Sequence, residues 1–211
     1  MTMTGHEMDF IRDEEELEAI YGAPVQAAIA KVSPTLTATY RQWIEASPFC
    51  VLATVGPGGT DATPRGDDGP VVRILDDRSF ALPDWVGNNR IDTLRNLVHD
   101  ERIAVMFMVA GSANVVRVNG IARITQNAAF LATFGRKNAA GTLLPRTVMI
   151  VQVVEVYMQC TRAIMRSRIW GDQAAPEGLP TQGQMLAAQS KEFEAVSYDE
   201  GWRVRGPANL W

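Results

Sequence analysis

Apolar and polar positions along this chain follow two different periods, and the change between them divides it. Through residue 47 the spacing is helical. In "TATYRQWIEAS", Tyr40, Trp43 and Ile44 stand three and four positions apart and share one helix face. Upstream, the acidic run Asp13 to Glu18 favours a helix start, and Gly22 followed by Pro24 stops it. "VQAAIAKV" is a further short amphipathic segment. From Phe49 onward the period shortens and β-branched residues accumulate. "FCVLATV", the turn Gly56-Pro57-Gly58-Gly59 and "TDATPRG" predict a hairpin. "PVVRILDDRSFALPD" predicts a second, with two short strands around Asp76-Asp77. "NNRIDTLRNLVHD" returns to helical spacing through Ile91, Leu94, Leu97 and Val98, with a polar Asn-Asn pair at its start.

Three more strands follow in "RIAVMFMV", "NVVRVNGIARIT" and "RTVMIVQVVEVYMQC". A short helix is predicted in "NAAFLATFGRKNAAG", ending near Gly135 or Gly141. The tail holds a basic segment, "TRAIMRSRIW", a Pro/Gly-rich linker and a final helix from Met185 to about Val196. Six or seven strands joined mostly by short turns do not alternate with helices as a parallel dinucleotide fold requires. The expected class is mainly β (β+α), an antiparallel barrel with flanking helices. The expected organisation is a helical N-terminal extension at 1–47, a β-barrel domain at 48–170, and a C-terminal linker and helix at 171–211 packed on the same domain.

Composition narrows the function. The 211 residues are 46% apolar and 21% charged, enough to bury a core. A net charge of −4 and a pI near 5.3 argue against a broad nucleic-acid or anionic-membrane surface. No apolar run reaches membrane-spanning length, and the N-terminal segment carries acids where a secretion signal needs bases. Cys50 and Cys160 each sit in an apolar run and are expected to be buried, reduced thiols of a cytoplasmic protein. His6 and His99 are too few for a histidine-based metal site, and no C-x-x-C pair, nucleophile elbow, Walker loop or Gly-x-Gly-x-x-Gly fingerprint occurs. His99, near the end of its helix, reads as a solvated cap. If the protein is an enzyme, a bound organic cofactor supplies the chemistry.

Two segments have the features that a phosphate-bearing ligand needs. In Thr63-Pro64-Arg65-Gly66-Asp67 the proline sets an extended approach, the glycine permits close contact, and Arg65 offers a planar fork of donors. In "ALPDWVGNNRIDTLRN", a strand leads through a glycine turn to Asn88, Asn89 and Arg90 at a helix start, where free backbone N–H groups favour an anion. Each also has an ordinary structural reading: a helix cap for the asparagines, a solvated charge for Arg90, and a local pair with Asp67 or Asp68 for Arg65.

The order of these segments from Phe49 to Val109, followed by "RVNGIARIT" and "IMRSRIW", resembles the FMN-binding split β-barrel family of pyridoxamine 5′-phosphate oxidase-like flavoproteins, in an uncharacterised subgroup. The resemblance spans roughly residues 10–170. It implies a flavin-side segment at Thr63, Pro64, Arg65, Gly66 and Asp67. It also implies a strand end at Leu82, Pro83 and Asp84 whose backbone faces the flavin, and a phosphate-binding turn at Asn88, Asn89 and Arg90. True pyridoxamine phosphate oxidases place a Ser followed by an Arg-Lys pair at that turn, and this chain has a single base there. No counterpart of their substrate-phosphate residues occurs near its C-terminus. The resemblance further implies a homodimer with FMN at the subunit interface, to which Arg166, Arg168 and Trp170 are candidate contributions from the partner. It points to an FMN-dependent oxidoreductase acting on a small molecule, with no general acid or base evident. The alternative is a non-catalytic flavin-binding or storage protein, or one that binds haem. The Arg-Gly-Asp tripeptide as an adhesion ligand is a remote third reading.

Overall fold

The computed structural model describes residues 10–138, 141–171 and 174–208. His6 therefore lies outside the described residues. The chain divides into two compact units, one ending at Val32 and one beginning at Ser33. The first holds α1 (Glu14–Tyr21) and α2 (Gln26–Ala30). Asp13 caps α1 by accepting from the Glu16 N–H, three acids fill its first turn, and Gly22 closes it at a φ of 67°. The acidic run and the glycine act as their chemistry predicts.

The second unit opens with α3 (Ala38–Glu45), capped by Thr37. Its Ile44 is fully buried, with Tyr40 and Trp43 packed beside it against the same core. The strands are β1 (Phe49–Gly56), β2 (Gly59–Gly66), β3 (Arg73–Ile74) and β4 (Ser79–Asp84). Helix α4 (Asp92–His99) precedes β5 (Arg102–Met108) and β6 (Val115–Thr125). Then come α5 (Ala128–Ala132), the short strands β7 (Arg136–Asn138) and β8 (Gly141–Leu143), and the long β9 (Thr147–Gln159). Helices α6 (Arg162–Ser167), α7 (Gln182–Gln189) and α8 (Ala195–Ala208) complete the described chain.

Seven strands form one sheet in the order β2-β1-β5-β6-β9-β4-β3, and every pairing is antiparallel. The hydrogen-bonded ladder is open between β2 and β3, and helices flank the sheet, so the architecture is the β+α split-barrel type. Alternation fills one face: Cys50, Leu52, Val105, Phe107, Val116, Val118, Val151 and Val156 are buried in a common core. The register shifts between Asn119 and Gly120, where Val154 of β9 is the extra, bulged residue. Gly120 is required there, because a Cβ at this position would run into the Gln152 carbonyl and press on Val151.

Four local features depart from the sequence pattern. The helix expected through Gly135 or Gly141 ends at Ala132, and β7 and β8 form a separate two-stranded hairpin. The single C-terminal helix is instead two helices, with a break at Ser190, whose backbone is extended. Gly183 allows that pair to close, since a Cβ would meet the Ala195 carbonyl. Helix α4 begins after the Asn-Asn pair, with Ile91 at its cap position. Cys50 is buried as expected, whereas Cys160 is exposed because β9 ends one residue earlier.

Candidate functional site

The β1–β2 hairpin closes at Gly56 and Gly59, and this register sets Arg65 opposite Cys50 and Gly66 opposite Phe49. Gly66 ends β2 where the chain leaves the sheet. Strand β4 runs antiparallel to β9, with Asp84 opposite Thr147 as the last ladder pair. One further bond, from the Arg146 N–H to the Asp84 carbonyl at 3.0 Å, holds the strands together where residues 85–91 diverge. The two ends enclose a cavity of about 450 Å3 lined by Pro64, Arg65, Gly66, Asp84, Asn88, Asn89, Arg90, Arg146 and Thr147, with Trp85 at its edge. That volume lies within the ~300–1,000 Å3 range of cofactor sites.

Both sequence segments thus line one cavity, though not every residue of them does. Arg65 reaches across to Asp84 at 3.3 Å and also donates to Thr63 Oγ1 at 3.0 Å, so Thr63 serves by orienting the guanidinium. Leu82 is a core residue whose backbone pairs with Met149. Pro83 and Asp67 line a neighbouring cavity of about 500 Å3 together with Arg73, Phe134 and Arg136. The Asp67 carboxylate is almost fully buried, where it pairs with Arg136 and accepts from Trp85 Nε1 at 3.4 Å. The Arg136 guanidinium also lies 5.0 Å from the centroid of the Trp85 ring. Trp85 therefore forms the wall shared by the two cavities.

The phosphate-type turn differs in detail from its sequence reading. Asn88 Oδ1 accepts from the Arg90 N–H at 3.0 Å, a local turn bond. Asn89 adopts a left-handed backbone with φ of 63°, which asparagine tolerates better than most residues. The Arg90 side chain is 82% exposed, and its Nε bonds Asp92 at 2.6 Å. Arg146 takes up the turn instead, donating from Nη1 to Asn89 Oδ1 at 2.6 Å. Sequence reasoning missed Arg146. It lies 57 positions from Asn89 in a segment with no local signal, and only the β4–β9 register brings it in.

Burial pushes the Asp84 carboxyl above the usual carboxylate range, partly offset by the Arg65 guanidinium, its hydrogen bond and the charge of Arg146. Desolvation pushes the Cys50 thiol behind β2 up to about 12, which makes it an inert core group. His99 is exposed at the end of α4 and lines none of these cavities.

Arg168 and Trp170 stand apart from this cavity. They line a third hollow of about 470 Å3 with Gly111, Ala113, Ile164 and Met165. Trp170 Nε1 donates to the Ser112 carbonyl at 2.7 Å, and Arg168 caps α6 in a left-handed conformation. Arg166 is exposed on the same helix. Within one chain these three residues do not meet the Arg65–Arg146 cavity. Among the described residues, no group of acids, cysteines and histidines is arranged to hold a metal, and no helix is long and apolar enough to cross a membrane.

The solved structures similar to this chain include HupZ of Group A Streptococcus, at 21% identity over 57% of this chain and 90% of that one, with a TM-score of 0.44. They also include a candidate pyridoxamine 5′-phosphate oxidase from Lactobacillus delbrueckii, at 19% identity, 59% and 95% coverage and a TM-score of 0.46. General Stress Protein 26 of Bacillus anthracis shares 14% identity over 56% of this chain and 88% of its own, with a TM-score of 0.41. Among curated proteins none matches. The family model for pyridoxamine 5′-phosphate oxidase matches residues 36–160, from two residues before α3 to one residue past β9 and over half of the chain. The chain belongs to the pyridoxamine 5′-phosphate oxidase family.

Proposed function

We propose that this protein binds FMN in the cavity between the ends of β2 and β4 and acts as an FMN-dependent oxidoreductase on a small molecule. The observation that carries this reading is the charge and shape of the cavity. Three guanidiniums, from Arg65, Arg90 and Arg146, face or flank a space of cofactor size that contains one carboxyl group, Asp84. Such a lining suits a ligand that joins a polar ring system to an anionic tail. A flavin, when bound, supplies two-electron chemistry. Arg65, held by Thr63 and Asp84, would present donors to the ring or ribityl oxygens. Gly66, with no side chain, leaves its backbone accessible, and Trp85 would exclude water from one side.

The partner subunit would complete the site. Arg166, Arg168 and Trp170 lie away from the cavity of their own chain and would reach the site of the second copy in a homodimer. The two free cysteines fit a reducing, cytoplasmic setting. The second reading is a flavin carrier without turnover. Haem is disfavoured, because no His, Cys, Met or Tyr is among the described residues lining the cavity.

The test is spectroscopic. Purified protein should show flavin absorbance or acquire it with added FMN. A colourless protein that binds no FMN would overturn the proposal. Bleaching by NADH or NADPH and recovery in air would identify an enzyme, and a flavin that stays oxidised with both would identify a carrier.

A further inference from the structure

The neighbouring cavity of about 500 Å3 abuts the first one, with Trp85 between them: Gly66 lines one and Asp67 the other, as do Asp84 and Pro83. Its lining is largely apolar, with Val72, Pro83 and Phe134 buried and Ile74 half-buried. Two guanidiniums enter it on different terms. Arg136 is committed to the buried Asp67 carboxylate and to the Trp85 ring. Arg73 is held by neutral groups instead. Its Nη1 donates to Thr133 Oγ1 and its Nη2 to the Thr133 carbonyl, each at 2.8 Å, and its Cζ lies 3.8 Å from the centroid of the Phe134 ring. Thr133 is fixed in turn at the end of α5, where its hydroxyl donates to the Phe130 carbonyl at 2.7 Å. The two bonds occupy the end-on fork of the Arg73 guanidinium. Its side-on edge, Nε–H and one Nη–H, bonds nothing among the described residues, and Glu45 on the same lining makes no ion pair with it. A guanidinium aimed in this way has little freedom to lose on meeting an anion and no acid of its own to displace.

We propose that this hollow binds a planar aromatic monocarboxylate, with the carboxylate on the free edge of Arg73 and the ring against the apolar lining. The further role of that ligand, as the class of small molecule presented to the flavin, rests on the flavin reading above. The two coplanar oxygens of a carboxylate match one guanidinium edge. Asp67 and Glu45 on the same lining oppose a second negative charge, so a single carboxylate suits the hollow better than a phosphate dianion. Walls made of indole, phenyl and guanidinium planes suit a ring better than an aliphatic chain.

The test is isothermal titration of the full chain with benzoate and with benzamide, its neutral isostere, in the native protein, Arg73→Gln and Arg73→Lys. The native protein should bind benzoate about 10- to 100-fold more tightly than benzamide. Arg73→Gln should abolish that preference and leave benzamide within about twofold, the sign of an intact hollow. Arg73→Lys, which keeps the charge and loses the planar fork, should retain part of the preference. No benzoate binding, equal affinity for both ligands in the native protein, or a preference that survives Arg73→Gln overturns the site. Should Arg73→Gln not fold, Arg73→Lys decides: a reduced preference supports the site and an unchanged one overturns it. In protein loaded with FMN, benzoate should perturb the flavin absorbance, and an unperturbed spectrum at saturating benzoate overturns the substrate role. A chain that binds no FMN but shows the Arg73-dependent preference keeps the carboxylate site and loses the flavin reading. FMN binding without benzoate binding does the reverse.

Discussion

Arg65 near the end of β2 and Asp84 at the end of β4 form an ion pair of 3.3 Å, with side chains 24% and 16% exposed. The contact ties together two strands that lie far apart in the sheet order, across the open part of the ladder. Arg65→Ala removes a donor from the cavity and leaves Asp84 without its ion partner. FMN affinity should fall by about 1.5–3 kcal/mol, the usual worth of a charge-assisted hydrogen bond. Equilibrium titration checks this, and unchanged affinity would exclude Arg65 from the site.

Asp84 also makes a prediction in pH. Its carboxyl is raised by burial, so the folded state holds the proton more tightly than the unfolded chain. Stability then falls as pH rises from the unfolded value, about 3.9, through the higher folded one. Asp84→Asn cannot titrate and should flatten this part of the profile. Urea unfolding at a series of pH values from 3.5 upward, for both proteins, measures the difference.

Asp67 and Arg136 join β2 to the β7–β8 hairpin, and the carboxylate is almost fully buried. Asp67→Asn removes the carboxylate charge that Arg136 and the Trp85 indole N–H share. A loss of about 1–3 kcal/mol in unfolding free energy is expected. Trp85 fluorescence should shift as well, because its indole N–H bonds the same carboxylate.

Gly120→Ala should destabilise the fold by about 1–3 kcal/mol, because the added methyl meets the Gln152 carbonyl of the paired strand. Chemical denaturation checks it. Gly58→Ala is the control, since a Cβ there meets nothing within 4 Å.

Much of the fold was legible because strand alternation and turn chemistry are local. "FCVLATV", Gly56 to Gly59 and "TDATPRG" became β1, its turn and β2 with little ambiguity, and the Tyr40-Trp43-Ile44 face packed as its spacing requires. The C-terminal segment was less legible. The break at Ser190 and the closure at Gly183 depend on how α7 meets α8, and neither helix has a strong apolar stripe of its own. The β7–β8 hairpin was missed for a similar reason: its strands are three residues each, too short to show a period.

The sequence alone determined the alternating strands, the flanking helices, the family outline and the two polar segments, because each depends on residues near one another in the chain. The tertiary structure decided which of those residues face a common space. Arg65 and the Asn88–Arg90 turn share a cavity because β2 and β4 end side by side, and Asp67 turns away to Arg136 and Trp85. Arg146 and Thr147 enter because β9 pairs with β4 in one register, which a single-residue shift would reverse from one face to the other. Register is a property of the whole sheet, and no local spacing encodes it.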